Sequence, residues 1–78
     1  MNIYGQVIRI MAEILKVNEE QIGEDTAIGD IPTWDSLSHL SIISTIEKEF
    51  GIQFTPDVVM DLEDVSDFVN AIEDRVGK

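Results

Sequence analysis

Apolar residues recur at intervals of three and four along three stretches of the chain, covering about residues 3–15, 37–50 and 65–76. This spacing lines apolar side chains along one side of an α-helix, whereas a half-buried strand alternates with a period of two. No stretch sustains that alternation, and neither an internal repeat nor a Pro- and Gly-rich cluster marks a second domain. The pattern predicts an all-α fold in a single domain over residues 1–78.

The first stretch predicts a helix over about residues 3–16. Asn2 is placed to cap its N-terminus, and the positive charge of Lys16 suits its C-terminal end. The residues of its apolar stripe are Ile3, Val7, Ile10, Met11, Ile14 and Leu15, widened by Tyr4 and Ile8.

The segment from Val17 to Asp35 is acidic and loses the helical period. A structureless connection of this length in a small domain is usually functional or disordered. Three isoleucines, Ile22, Ile28 and Ile31, are spaced to pin it to the core, which favours an ordered crossover. Its acids lack the EF-hand spacing, so no metal site is predicted.

A second helix is predicted to begin after Asp35, a natural N-cap, with Ser36 as its first residue. Its predicted buried stripe contains Leu37, Leu40, Ile43, Ile46 and Phe50, and Gly51 is placed to end it in the left-handed conformation. The N-terminus of such a helix carries unpaired N–H groups and a partial positive charge, so an anion attached to Ser36 would be favoured there.

Two further helices are predicted from capping signals. Thr55, Pro56 and Asp57 start a short third helix that gives way at Asp61. Asp64, with Asp67 three residues later, starts a fourth. Its apolar positions are Val65, Phe68, Val69, Ile72 and Val76, and Gly77 and Lys78 are expected to fray. The predicted architecture is a four-helix bundle with a long first loop and a short third helix.

Sixteen acidic against five basic residues give a formal net charge of -11. This balance argues against nucleic acid and anionic membranes as partners and favours basic protein surfaces. The chain contains no cysteine, so any thiol chemistry needs an added group. Neither a secretory signal nor an 18-residue apolar run is present, and we expect a cytoplasmic monomer.

The segment Asp35-Ser36-Leu37, at the start of a helix near the middle of a small acidic helical chain, resembles the motif of the acyl carrier proteins. The resemblance continues through residues 46–52, 54–57 and 62–69 and covers essentially the whole chain. In that family the motif serine bears covalent 4′-phosphopantetheine, placed there by a phosphopantetheinyl transferase. The resemblance implies that Ser36 holds the arm, that Asp35 helps to recruit the transferase, and that Leu37 contacts partners or covers the base of the arm. The protein would then be a carrier and not an enzyme.

The resemblance also implies a partner surface and an acyl pocket. Carriers of dissociated fatty-acid synthases have an acidic second helix. Here that face reads Ser38, Ser41, Ser44, Glu47 and Lys48, and helix 3 presents Val58 and Met60. We therefore expect a specialised pathway, a dedicated acyl- or aminoacyl-loading ligase or transferase, and downstream acyl-using enzymes with basic or apolar patches. The full predicted partner surface is Trp34, His39, Leu40, Ser41, Ser44, Glu47, Lys48, Val58 and Met60. The predicted pocket is Ile46, Phe54, Val59 and Leu62, and the bulk of Phe54 and Val59 favours a short or polar cargo.

Trp34 has two interpretations, because its large amphipathic ring can cover the long loop or stand beside the arm. Three alternative functions also remain open. The chain could be a general fatty-acid carrier, or an unmodified acidic adaptor that offers its second helix to a basic groove. It could also be a hydrolase that pairs Ser36 with His39, but no orienting group, oxyanion hole or dry pocket is evident for one.

Overall fold

The computed structural model describes residues 2–76 and contains four α-helices and no strand within them. The helices are α1 (Ile3–Leu15), α2 (Ser36–Phe50), α3 (Pro56–Asp61) and α4 (Val65–Val76). α1 packs against both α2 and α4. The predicted all-α bundle with a long first loop and a short third helix is confirmed, and the predicted fraying of Gly77 and Lys78 lies outside the described residues.

The helix ends follow the local capping signals. The Asn2 side chain accepts a hydrogen bond from the Gly5 N–H at 3.0 Å, and Gly51 ends α2 with φ 65°. Lys16 was predicted to be the last residue of the first helix, but it lies just beyond the end of α1. It is the C-cap, in the left-handed conformation at φ 60°, and its N–H donates to the Ala12 carbonyl.

The fourth helix starts with a reciprocal cap. The Asp64 carboxylate accepts the Asp67 N–H at 2.9 Å, while the Asp67 carboxylate accepts the Asp64 N–H at 3.2 Å. The first of these bonds, followed by one from the Ser66 hydroxyl, lowers the pKa of Asp64. The predicted pairing of these two residues at the helix start is confirmed.

The core differs from the predicted stripes at three places. In α2 the buried residues are Ile42, Ile43 and Ile46, whereas Leu37 and Leu40 are 77% and 57% exposed. The predicted apolar stripe was therefore rotated about the helix axis relative to the side that is buried, because the prediction followed the leucines nearest the helix start. Tyr4 and Val76 are also exposed, at 39% and 42%.

The first loop is ordered by its backbone as much as by its side chains. It contains a short 3₁₀ turn, Glu19–Gln21, which the lost periodicity did not predict. Ile22 and Ile31 are buried as expected, but Ile28 is 37% exposed. The backbone of Ile28 makes the attachment instead, donating its N–H to the Glu63 carbonyl at 2.9 Å.

Candidate functional site

Ser36 lies at the exposed N-terminus of α2. Asp35 precedes the helix with extended backbone, and its carboxylate accepts the Ser38 N–H at 3.0 Å. That backbone bond lowers the pKa of Asp35 below its ordinary value. The Ser36 side chain is exposed, and its hydroxyl has no hydrogen-bond partner among residues 2–76. A covalent group could therefore be added to this oxygen without breaking an internal bond.

The loop before Ser36 is tied to two neighbouring elements. The Thr33 hydroxyl donates to the Leu15 carbonyl at 2.7 Å, which joins the loop to the C-terminal end of α1. The Gly29 N–H donates to the Trp34 carbonyl at 3.1 Å, with Gly29 at φ 95°. Further back, the Val65 N–H donates to the Thr26 carbonyl at 3.0 Å, at the start of α4. The serine therefore extends from an anchored turn.

Trp34 was predicted to lie on the partner surface, but its side chain belongs to the core. Only 1% of its surface is exposed. Its indole Nε1–H donates to His39 Nδ1 at 3.0 Å, so the polar atom of this buried ring is paired. The loop-covering interpretation of Trp34 fits this position, and direct contact between its side chain and a partner does not.

His39 is half-buried between two aromatic rings. Its ring centroid lies 6.0 Å from that of Trp34 and 5.6 Å from that of Phe68, which it meets edge to face. Since Nδ1 accepts the indole N–H, it carries no proton, and the neutral ring holds its proton on Nε2. The only acceptor of this neutral ring is already used, so His39 has no lone pair with which to take a proton from Ser36. The hydrolase alternative therefore lacks its base.

The rest of the predicted partner surface is mostly exposed. Leu40 and Met60 are 57% and 79% exposed, and Leu37 of the attachment motif is 77% exposed; these are the most exposed large apolar residues of the described chain. Ser41, Ser44 and Lys48 are also exposed, and Val58 is half-buried.

Glu47 is held inside the fold more than predicted. Its side chain is half-buried, and its carboxylate accepts the Phe54 N–H at 2.8 Å. It therefore fixes the segment between α2 and α3. Glu47 was the one acidic residue predicted on the partner-facing side of α2, and its carboxylate is already engaged in this internal hydrogen bond. The signal for this role was its position one turn before the helix end, where a carboxylate can reach the N–H groups of the following segment.

The residues predicted to line an acyl pocket are packed into the core. Ile46, Phe54 and Leu62 are 0%, 6% and 4% exposed, and Val59 is half-buried. A cleft of about 380 Å³ lies nearby, but Val58, Ala71, Asp74 and Arg75 line it. The four predicted residues therefore form core contacts and do not border this cleft.

Comparison with known proteins gives the decisive observation. The family model described as the phosphopantetheine attachment site matches residues 5–72. An acyl carrier protein of Rickettsia bellii (strain RML369-C) is 33% identical over 74 residues, which are 95% of this chain and 86% of the relative. One from Thermotoga maritima is 31% identical over 75 residues, 96% of this chain and 93% of the relative. The chain belongs to the acyl carrier protein family.

Members of the acyl carrier protein family are carriers and not enzymes, and they bear 4′-phosphopantetheine as a covalent group. They work with a phosphopantetheinyl transferase and with enzymes that handle acyl groups. The exposed hydroxyl of Ser36 fits the attachment of such a group. Within residues 2–76 no helix is long and apolar enough to cross a membrane, and no cluster of metal-binding side chains occurs.

Proposed function

We propose that Ser36 carries the phosphopantetheine arm of this acyl carrier and that the protein serves a specialised biosynthetic pathway. The observation that supports the attachment is the exposed hydroxyl at the first residue of α2, which has no hydrogen-bond partner among residues 2–76. The partial positive charge at this helix end stabilises a phosphodiester there. Asp35 caps the helix and presents a carboxylate beside the serine, where a transferase and its metal ion can meet it.

The arm supplies a thiol that holds an acyl or aminoacyl group as a thioester. The chain contains no cysteine, so this thiol has no competitor within the protein. A tethered cargo meets each enzyme at a high effective concentration while it stays covalently attached. The protein itself provides the attachment oxygen, the anchored turn before it and the surface that partners bind. As part of the same proposal, we expect the protein to be a monomer located in the cytoplasm.

The surface of α2 and α3 supports a dedicated set of partners. Ser41, Ser44 and Lys48 are exposed where housekeeping carriers are expected to present acids, and Met60 adds an apolar side chain that is 79% exposed. Each exposed charge pair contributes only about 0.2 to 1 kcal/mol, but several lost pairs together approach the 1.4 kcal/mol that changes affinity tenfold. Charge reversal at Lys48 also disfavours enzymes with basic docking surfaces.

Malonyl loading by a fatty-acid-synthase transacylase tests this specialisation. We expect the wild type to be a poorer substrate than a housekeeping carrier, and Ser41→Glu plus Lys48→Glu to improve loading because both changes restore acids on α2. The control is Lys16→Glu plus Asn70→Glu, which makes the same change in net charge at exposed positions outside α2.

If the wild type is loaded as well as a housekeeping carrier and the α2 variant adds nothing, the chain is a general fatty-acid carrier. Equal improvement in the two double variants would show that net charge alone controls loading, and would also contradict a dedicated α2 surface. Ser36→Ala should remove loading in every background.

We propose a short or polar cargo, such as an aminoacyl or small hydroxyacyl group. Ile46 and Phe68 are fully buried, and Phe54 and Leu62 are nearly so. A long chain inserted among them has to separate helices, and overpacking a close-packed interior costs about 1 to 3 kcal/mol. A short or polar group can stay on the arm outside the core.

An eight-carbon acyl group on the arm should leave the melting temperature unchanged relative to the unacylated form. In Phe54→Val, which opens space in the core, the same acyl group should raise it. A gain of several degrees in the wild type would show that the chain already accommodates an acyl group, and the short-cargo proposal would be wrong.

A further inference from the structure

The contact between Trp34 and His39 has a defined direction. The two ring planes lie within 25° of each other, yet the ring centroids are 6.0 Å apart while Nε1 and Nδ1 are separated by 3.0 Å. A centroid separation twice the nitrogen separation means that the rings meet edge to edge and not face to face. The indole N–H therefore points at the in-plane lone pair of Nδ1.

This contact leaves the other nitrogen of His39 as a donor. Nδ1 accepts, so the proton of the neutral ring is on Nε2. The two nitrogens project to nearly opposite sides of the ring, and Nδ1 faces the buried Trp34. Nε2 has no partner among the described residues, whereas every buried side-chain nitrogen and oxygen among them has one. Nε2 therefore reaches solvent.

The donor belongs to a residue within one helical turn of the proposed attachment site. Ser36 and His39 are three residues apart on α2, so their side chains are neighbours on the helix surface. Helical side chains also lean towards the N-terminus, which brings the imidazole over the turn that begins with Ser36. A phosphate on Ser36 adds acceptor oxygens on this side of the helix.

We propose that His39 donates a hydrogen bond from Nε2 to the phosphodiester of an arm attached to Ser36. The proposal rests on the attachment proposed above and assigns His39 a role in positioning the arm. Trp34 supports this role, because its indole N–H holds His39 in the tautomer that donates from Nε2. Phe68 restricts the ring from the side of α4.

Two amide substitutions separate the two nitrogens of His39. His39→Asn can place a carbonyl oxygen near the position of Nδ1, so it can still accept from Trp34, but it has no donor at the outer position. His39→Gln can place an amide N–H near the position of Nε2 and retains the outer donor. Both keep a polar side chain of similar reach, and circular dichroism checks that both remain folded.

The test compares each protein before and after treatment with coenzyme A and a phosphopantetheinyl transferase. Intact mass first shows whether the arm is attached. Long-range ¹⁵N–¹H spectra then follow Nδ1 and Nε2 of His39, and ³¹P spectra follow the phosphodiester. We expect the Nε2 resonance of the wild type to move on attachment while Nδ1 remains unprotonated. The ³¹P resonance should shift in His39→Asn and stay near the wild-type position in His39→Gln.

An arm that is attached without any response of Nε2 would overturn the role of His39 and leave the attachment at Ser36 intact. An equal ³¹P shift in the two variants would also overturn it, because such a shift would reflect altered packing and not a lost donor. A wild-type mass without the arm would overturn the attachment itself, and this inference with it.

Discussion

Lys16 adopts a backbone conformation that a lysine does not favour. It is the one residue other than glycine with positive φ in the described chain, at φ 60°. This conformation is strained for residues with a Cβ, by about 1 to 2 kcal/mol, and glycine adopts it freely. The strain persists because this conformation turns the chain so that the Val17 N–H also donates to the Ala12 carbonyl, at 3.1 Å.

We expect Lys16→Gly to raise the free energy of unfolding by about 0.5 to 1 kcal/mol, because relief of strain exceeds the added flexibility of the unfolded chain. Urea denaturation measures the change. Lys16→Ala removes the same charge without freeing the backbone, so it should give no gain. Equal stability of the two variants would mean that the left-handed cap carries no strain worth removing.

At the same scale, Trp34 shows the limit of prediction from sequence. Its ring suits a buried loop or a partner surface equally, and composition cannot choose between them. The choice depends on whether the indole N–H finds an acceptor inside the fold. His39, five residues later, supplies it, but this depends on the turn between them. Ser36 and Asp35 were easier to predict because their positions follow from local capping.

At the scale of the helices, the sequence largely predicted where each helix begins and ends, but it predicted less well which side of each helix is buried. Caps such as Asn2, Thr55 and Asp64 depend on a residue three positions away, which the sequence shows directly. The attachment of the first loop to α4 joins residues almost 40 positions apart, as in the bridge between Ala27 and Asp64. Such pairing leaves no local pattern. The buried side of α2 depends in the same way on where α1 and the loop lie.

The Asp64 cap predicts a pH dependence of stability. The pKa of Asp64 is lowered in the folded state, chiefly by the Asp67 N–H, so its contribution is complete above the unfolded pKa of about 3.9 and is lost as pH falls through the folded pKa. Asp64→Asn should therefore be less stable than Asp25→Asn, an exposed loop control with the same charge change, at neutral pH. Thermal unfolding from about pH 6 to about pH 2.5 should show this difference shrinking towards acid. A constant difference would show that the carboxylate charge contributes nothing to the cap.

For the whole molecule, the formal net charge of -11 opposes the compact state through self-repulsion. Salt at about 0.15 M screens charges separated by more than a Debye length of about 8 Å. We expect the melting temperature to rise from low to moderate NaCl concentration, and to rise further with millimolar Mg²⁺. An unchanged midpoint would show that the acids are spread widely enough for their repulsion not to matter.

The central claim is that Ser36 accepts the arm, and intact mass after incubation with coenzyme A and a broad-specificity phosphopantetheinyl transferase tests it most directly. Ser36→Ala removes the proposed oxygen. Ser38→Ala is the matched control, because it removes a neighbouring hydroxyl and keeps the N–H that Asp35 accepts. The account predicts one added phosphopantetheine on the wild type and on Ser38→Ala, and none on Ser36→Ala. An unmodified wild type, or an arm on Ser36→Ala, would contradict it.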